Sequence, residues 1–159
     1  MKQRCKKIKL VLTDVDGVLT DGGMYYTKNG DIMKKFHARD GMGVTILRKN
    51  NIPTIIVTKE KNAIVKKWAE KMKINKTYQG VLQKDKILEK VCKNFKINSD
   101  EVAYIGDDIN DIPLLKIVGF AVTPKDGNSS VKKIAHYVCS CNGGEGALRE
   151  MAELILLNK

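Results

Sequence analysis

Short apolar runs alternate along the chain with stretches whose apolar residues recur at helical spacing. Residues 8–13, 54–58, 77–80, 102–106, 120–123 and 137–139 read as strands, and the first, second, fourth and fifth are near-continuous apolar runs of the kind a sheet buried on both faces requires. Between them, Ile64, Val65, Trp68, Ala69 and Met72 share one helical side, as do Ile87, Leu88, Val91, Cys92 and Phe95. Leu148, Met151, Ala152 and Ile155 do the same near the end of the chain. This βαβα alternation predicts an α/β fold: a three-layer, Rossmann-like, mostly parallel sheet with helices on both faces. Residues 22–37 break the rhythm. There, two β-prone runs flank Asn29-Gly30, a pair that tolerates the positive φ of a type I′ turn and so predicts a hairpin. Directly after the first strand, such a hairpin protrudes at the sheet edge where ligands bind; a solvated ribbon that touches no substrate is the other reading. An isolated two-stranded hairpin is marginal in water, so this one is expected to pack on something, such as a neighbouring subunit.

Length and composition narrow the class. The 159 residues fit one domain, 1–159, with no room for an inserted cap domain. Hydrophobic residues are 43% and charged residues 30%, a globular composition. No apolar run nears the ~20 residues that span a bilayer, and the basic start lacks a signal-peptide pattern, so a cytoplasmic location and no membrane partner are expected. Lys+Arg number 29 against 18 Asp+Glu, a net charge of +11. The lysines are scattered among glutamates, as in Lys66-Lys67-Trp68-Ala69-Glu70-Lys71, and aromatics are 6%, so solvated helix faces explain them better than a nucleic-acid surface does. The excess charge still helps to attract an anionic small molecule. Cys139-Ser140-Cys141 has no second ligand pair, which argues against zinc, and the four cysteines do not form a disulfide framework.

Candidate chemistry clusters at predicted strand ends. Asp14-Val15-Asp16-Gly17 follows the first strand; its carboxylates need a cation or hydrogen-bond donors, or else belong to a polar capping turn. Thr58 ends the second strand, where its hydroxyl suits a phosphoryl oxygen or a helix cap. Lys84 opens a helix, and taken alone it reads as solvated. Gly106-Asp107-Asp108-Ile109-Asn110-Asp111 concentrates three aspartates at another strand end, a hard-oxygen set suited to Mg²⁺. Gly143-Gly144-Glu145-Gly146 either offers backbone N–H groups to an anion or punctuates the chain before the last helix. Together the clusters suit phosphoryl transfer: an aspartate nucleophile, a cation and an ammonium to offset phosphate repulsion, and a second aspartate to protonate the leaving alkoxide.

The order Asp-x-Asp, strand-end Thr, Lys and Gly-Asp-Asp-x-x-Asp resembles the haloacid dehalogenase-like phosphatases over nearly the whole chain. The resemblance implies Asp14 as nucleophile and Mg²⁺ ligand, and Asp16 as general acid/base that gives Mg²⁺ its backbone carbonyl. It implies Thr58 and Lys84 as phosphoryl-binding residues and Asp107 as completing the metal site, with Asp108 and Asp111 supporting that site or orienting Lys84. Residues 14–22, 36–41, 78–80 and 143–150 are similar to the capless subgroup that includes 3-deoxy-D-manno-octulosonate 8-phosphate (KDO 8-phosphate) phosphatases. That subgroup implies a homotetramer in which one subunit's hairpin covers its neighbour's site, and a sugar acid phosphate as substrate. Where Thr-Gly-Arg is usual, this chain has Thr58-Lys59-Glu60. Glu60 and Glu145 resemble relatives acting on nine-carbon acids such as KDN or N-acylneuraminate 9-phosphate, whereas Ala38-Arg39-Asp40-Gly41 resembles the KDO type. Arg39, Glu60, Lys71 and Glu145 are thus the expected substrate-selecting residues, with KDO 8-phosphate the leading substrate. A nucleic-acid-binding module and a non-catalytic assembly subunit are the rival classes.

Overall fold

A computed structural model describes all residues, 1–159. Its elements run α1 (Lys2–Lys7), β1 (Leu10–Thr13), β2 (Tyr25–Thr27), β3 (Gly30–Met33), α2 (Ala38–Lys49), β4 (Thr54–Val57), α3 (Ala63–Lys71), β5 (Thr77–Tyr78) and α4 (Asp85–Phe95). After these come β6 (Val102–Ile105), α5 (Ile112–Leu115), β7 (Phe120–Thr123), α6 (Ser129–Lys132), β8 (Tyr137–Val138) and α7 (Ala147–Leu157). Six strands form one sheet in the order β5-β4-β1-β6-β7-β8, every neighbouring pair parallel. All six predicted strands are present, and no helix is long and apolar enough to cross a membrane.

Successive strand residues point to opposite faces, and each face is covered. Val11, Ile56, Ile105 and Val122 pack with Leu47, Val65, Met151 and Ile155 beneath α2, α3 and α7. Leu10, Leu12, Ile55 and Val57 pack on the other face with Leu88, Val91, Leu115 and Val131 beneath α4, α5 and α6. The chain runs from β1 out to β4 and β5 on one side of it, then returns from β5 to β6 on the other. The ends of β1, β4 and β6 therefore open onto a topological switch point, where open parallel sheets bind ligands.

Two local expectations need correction, and one helix has no apolar rhythm in the sequence. The first strand begins at Leu10, because residues 2–7 coil into α1 and Ile8 is the buried residue that ends that helix. Helix α2 carried no apolar periodicity because its packing face includes Gly41 and Gly43; a Cβ at Gly43 would lie 2.9 Å from the Arg149 Cα of α7. In the hairpin, Thr27 pairs with Gly30, so the connection is Lys28–Asn29 and only Gly30 takes a positive φ, 104°. The Asn29 N–H donates to Thr27 Oγ1 (3.2 Å), which keeps the turn on the threonine side; the geometry is a turn followed by a bulge-type glycine rather than type I′. The hairpin base is well tied: Thr20 bridges Phe36, and Phe36 stacks on Trp68 at 4.6 Å. Its outward face is not covered within the chain; Met24, Tyr26, Ile32 and Met33 are exposed.

Candidate active site

A cleft of about 470 Å³ opens at the carboxyl ends of the central strands, lined among others by Asp14, Asp16, Thr58, Glu60, Asp107 and Asp108. Asp14 follows β1, Thr58 follows β4, and Asp107 follows β6 after one glycine, so adjacent strands deliver residues distant in sequence to one place. Gly17, at φ 78°, makes the close approach possible: a Cβ there would lie 2.1 Å from Asp107 Oδ2. Carboxylate oxygens of Asp14, Asp107 and Asp111 lie within 4.8 Å of one another.

Behind Asp14 sits Lys84, with a side chain only 1% exposed. Its Nζ is 2.6 Å from Asp14 Oδ2 and 2.6 Å from Asp111 Oδ1. Asp111 is fully buried, and it also accepts from the Tyr104 hydroxyl (2.5 Å) and from the Asp107 and Asp108 N–H groups (2.9 and 3.2 Å). Such a buried set is tolerable only because its lone pairs and protons are matched. Asp108 caps the short turn that follows, its carboxylate accepting from the Ile109 N–H at 2.8 Å. Asp16 faces another way: Oδ1 accepts from Lys34 Nζ (2.6 Å) and, more distantly, from Thr20 Oγ1 (3.4 Å).

The electrostatics fit this geometry. Burial and the charge of Asp111 push Asp14 up to about 7, against the opposing pull of Lys84. Burial and the charges of Asp14, Asp111 and Asp108 push Asp107 up to about 8. Burial works against the Lys84 ammonium, but Asp14 and Asp111 outweigh it, so Lys84 stays charged with its pKa above the ordinary value. Tyr104 is held well above a normal phenol by burial and then by Asp111, so its hydroxyl is a donor throughout the usual pH range. Two raised carboxyls facing each other favour a bound cation, and an all-carboxylate donor set suits a hard divalent ion.

A haloacid dehalogenase-like hydrolase family profile matches residues 49–151. Over 156 residues the chain is 36% identical to the 3-deoxy-D-manno-octulosonate 8-phosphate phosphatase of Haemophilus influenzae, covering 98% of this chain and 87% of that one. The chain belongs to the haloacid dehalogenase-like hydrolases. The corresponding Yersinia pestis phosphatase is 37% identical over 157 residues, covering 98% of this chain and 83% of that one. Among solved structures of the family, the cobalt-bound H. influenzae phosphatase aligns with a TM-score of 0.95 at 35% identity, over 98% of this chain and 91% of that one. The Moraxella catarrhalis phosphatase, solved with magnesium, phosphate and KDO, aligns with a TM-score of 0.95 at 34% identity, over 99% of this chain and 91% of that one.

In this haloacid dehalogenase-like chain the expected site residues separate into two groups. Asp14, Asp16, Thr58, Glu60, Asp107 and Asp108 line the cleft, with Lys84 and Asp111 bonded directly behind it. Arg39, Lys71 and Glu145 do not reach it. Arg39 lines a separate depression with Arg149 and Glu150, Lys71 borders a groove with Trp68 and Met42, and Glu145 accepts from the Asn142 side chain at 3.1 Å. The expectation that these three face the substrate is corrected for a single subunit: none of them lines the cleft, Lys71 closing α3 and Arg39 and Glu145 lying on other surfaces. In the Gly143–Gly146 turn all four N–H groups are already used: Gly143 donates to Asp126 Oδ1, Gly144 to the Val18 carbonyl, Glu145 to the Asn142 carbonyl and Gly146 to Asp40 Oδ2. The turn clamps the loop after β1 instead of receiving an anion. Tyr104 and Lys34 went unnoticed in the sequence; a tyrosine within a strand and a lysine beside a hairpin carry no local signal.

Proposed function

We propose that the chain is a Mg²⁺-dependent phosphomonoesterase acting on a 3-deoxy-ulosonic acid phosphate, KDO 8-phosphate first among them. The observation that carries this reading is Asp14, an acid fixed 2.6 Å from a buried ammonium and grouped with Asp107 at the mouth of the cleft. Relatives matching almost the whole chain bear the KDO 8-phosphate phosphatase name, which supports the eight-carbon substrate over nine-carbon acids.

Asp14 attacks phosphorus, forming an aspartyl phosphate as the ester P–O bond breaks. A proton from Asp16 goes to the departing alkoxide, which is otherwise a very poor leaving group. Asp16 then takes a proton from water as that water attacks the phosphorus, releasing inorganic phosphate and restoring Asp14. Lys84 and Thr58 bind the phosphoryl oxygens, and Lys84 is kept charged and aimed by Asp111. Asp14, Asp107 and the Asp16 backbone carbonyl would hold Mg²⁺, whose charge lessens the repulsion between Asp14 and the phosphate dianion.

The assembly belongs to the same proposal: a homotetramer in which the exposed hairpin tip covers a neighbour's cleft. The exposed apolar Tyr26, Ile32 and Met33 of the hairpin support it, as do Arg39, Lys71 and Glu145, which do not line the cleft of their own subunit. Phosphate release from KDO 8-phosphate, KDN 9-phosphate, N-acetylneuraminate 9-phosphate and a generic sugar phosphate tests the substrate. The first should turn over fastest, and equal rates on all four would refute the assignment. Light scattering alongside the assay tests the assembly, because a fully active and selective monomer would contradict hairpin capping.

A further inference from the structure

We infer that Lys34 is a positioning residue that holds the general acid/base Asp16 in register for proton transfer. The role rests on the phosphatase reading above. Lys34 lies just past β3, on the return leg of the hairpin, yet its side chain is only 3% exposed. Burying an ammonium at a hairpin base is costly unless it is paired. Its Nζ donates to Asp16 Oδ1 at 2.6 Å and lies 3.3 Å from Asp31 Oδ2.

Asp31 is fixed in turn. Its Oδ2 accepts from Asn62 Nδ2 at 3.0 Å, Asn62 Oδ1 caps α3 by accepting from the Ile64 N–H at 2.8 Å, and the Asn62 N–H donates to Gln79 Oε1 at 2.7 Å. One line of bonds therefore joins the loop after β1, the hairpin, the start of α3 and the segment after β5. Asp16 is the end of that line nearest the cleft. Its Oδ1 is taken by Lys34 and Thr20, while no protein group bonds Oδ2. The clamp selects one oxygen for structure and leaves the other to carry the proton delivered to the leaving group. A displaced carboxyl would miss that oxygen, and a misplacement of about 1 Å can cost about 100-fold in rate.

A fastener that merely steadied the hairpin would slow all substrates alike. Acting through Asp16, Lys34 must matter most where the leaving group needs a proton. The test is kcat/KM, which reports the steps through loss of the alcohol, for KDO 8-phosphate and for p-nitrophenyl phosphate, whose phenolate departs without protonation. In Lys34→Met, the ratio of the sugar-acid value to the aryl value should fall about 10-fold or more, since general-acid catalysis contributes about 10²–10⁴-fold. Lys34→Arg, which keeps a donor, should recover part of that ratio. A Lys34→Met ratio within about twofold of wild type, whether both rates drop together or neither does, would overturn the role. Absence of phosphate release from either substrate by the wild-type protein would overturn the phosphatase reading, and the Lys34 role with it.

Discussion

Replacing Lys84 with methionine removes a charge from the most buried part of the site while nearly conserving volume. Two carboxylates, Asp14 and Asp111, lose the cation that sits 2.6 Å from each; Asp111 is fully buried and Asp14 nearly so. Removing one partner of a buried ion pair costs about 3–5 kcal/mol, a large share of the about 5–15 kcal/mol that holds a domain of this size together. At roughly 2–4 °C per kcal/mol, the Tm should drop by about 6–20 °C. The loss should depend on pH with a definite sign. Asp14 is already pushed up to about 7, and without Lys84 it rises further, so it sheds its charge below neutrality. A carboxyl raised in the folded state contributes stability at low pH that is lost as pH climbs through its folded value. The variant should therefore be much closer to wild type at about pH 5 than at about pH 8. Urea unfolding with chelator present, at both pH values, measures this directly. Adding Asp14→Asn to the Lys84→Met background should return part of the stability, because it removes one of the stranded charges. Unfolding free energies within about 1 kcal/mol of wild type at pH 8 would refute the claim that Lys84 neutralises two buried acids.

Asp14→Asn should abolish phosphate release while circular dichroism shows an intact fold; turnover near the wild-type rate would remove the proposed nucleophile. Chelation of divalent ions should stop turnover and Mg²⁺ should restore it, so unchanged phosphate release in the chelated protein would contradict the metal assignment. Because Asp14 is raised to about 7 and Asp107 to about 8, protons compete with the ion for these oxygens below those values. Mg²⁺ should therefore raise the Tm more at about pH 8.5 than at about pH 5.5, and calorimetry giving the reverse order would contradict the shared site. Gly43→Ala puts a Cβ 2.9 Å from Arg149 Cα and should cost about 1–3 kcal/mol despite alanine's better helix propensity. A higher urea midpoint for that variant would argue against close α2–α7 contact.

Which parts of the fold were legible in the sequence follows from how each part is held. Buried parallel strands need apolar side chains on both faces, so β1, β4, β6 and β7 announce themselves as continuous runs. Helices α3, α4 and α7 each pack one apolar side, and that side has a period. Helix α2 packs through glycines, and α1 is basic with only Cys5 buried, so neither leaves an apolar rhythm to read. The acids of the site were visible because they cluster locally at strand ends. The network behind them was not: Lys84 reaches the Tyr104–Asp111 segment from 20 or more residues away and Lys34 reaches Asp16 across the hairpin, and only the sheet order and the hairpin bring those groups together. Arg39, Lys71 and Glu145 came from resemblance alone, and a single subunit keeps them away from the cleft.

The central claim is that Asp14 takes the phosphoryl group from the substrate, and acid-quenching the protein during turnover of KDO 8-phosphate tests it most directly. Mass analysis of its peptides should find a labile acyl phosphate on the segment containing Asp14, absent from the Asp14→Asn variant. Continued turnover with no acyl phosphate on any aspartate, or with the phosphate on an aspartate other than Asp14, would contradict it.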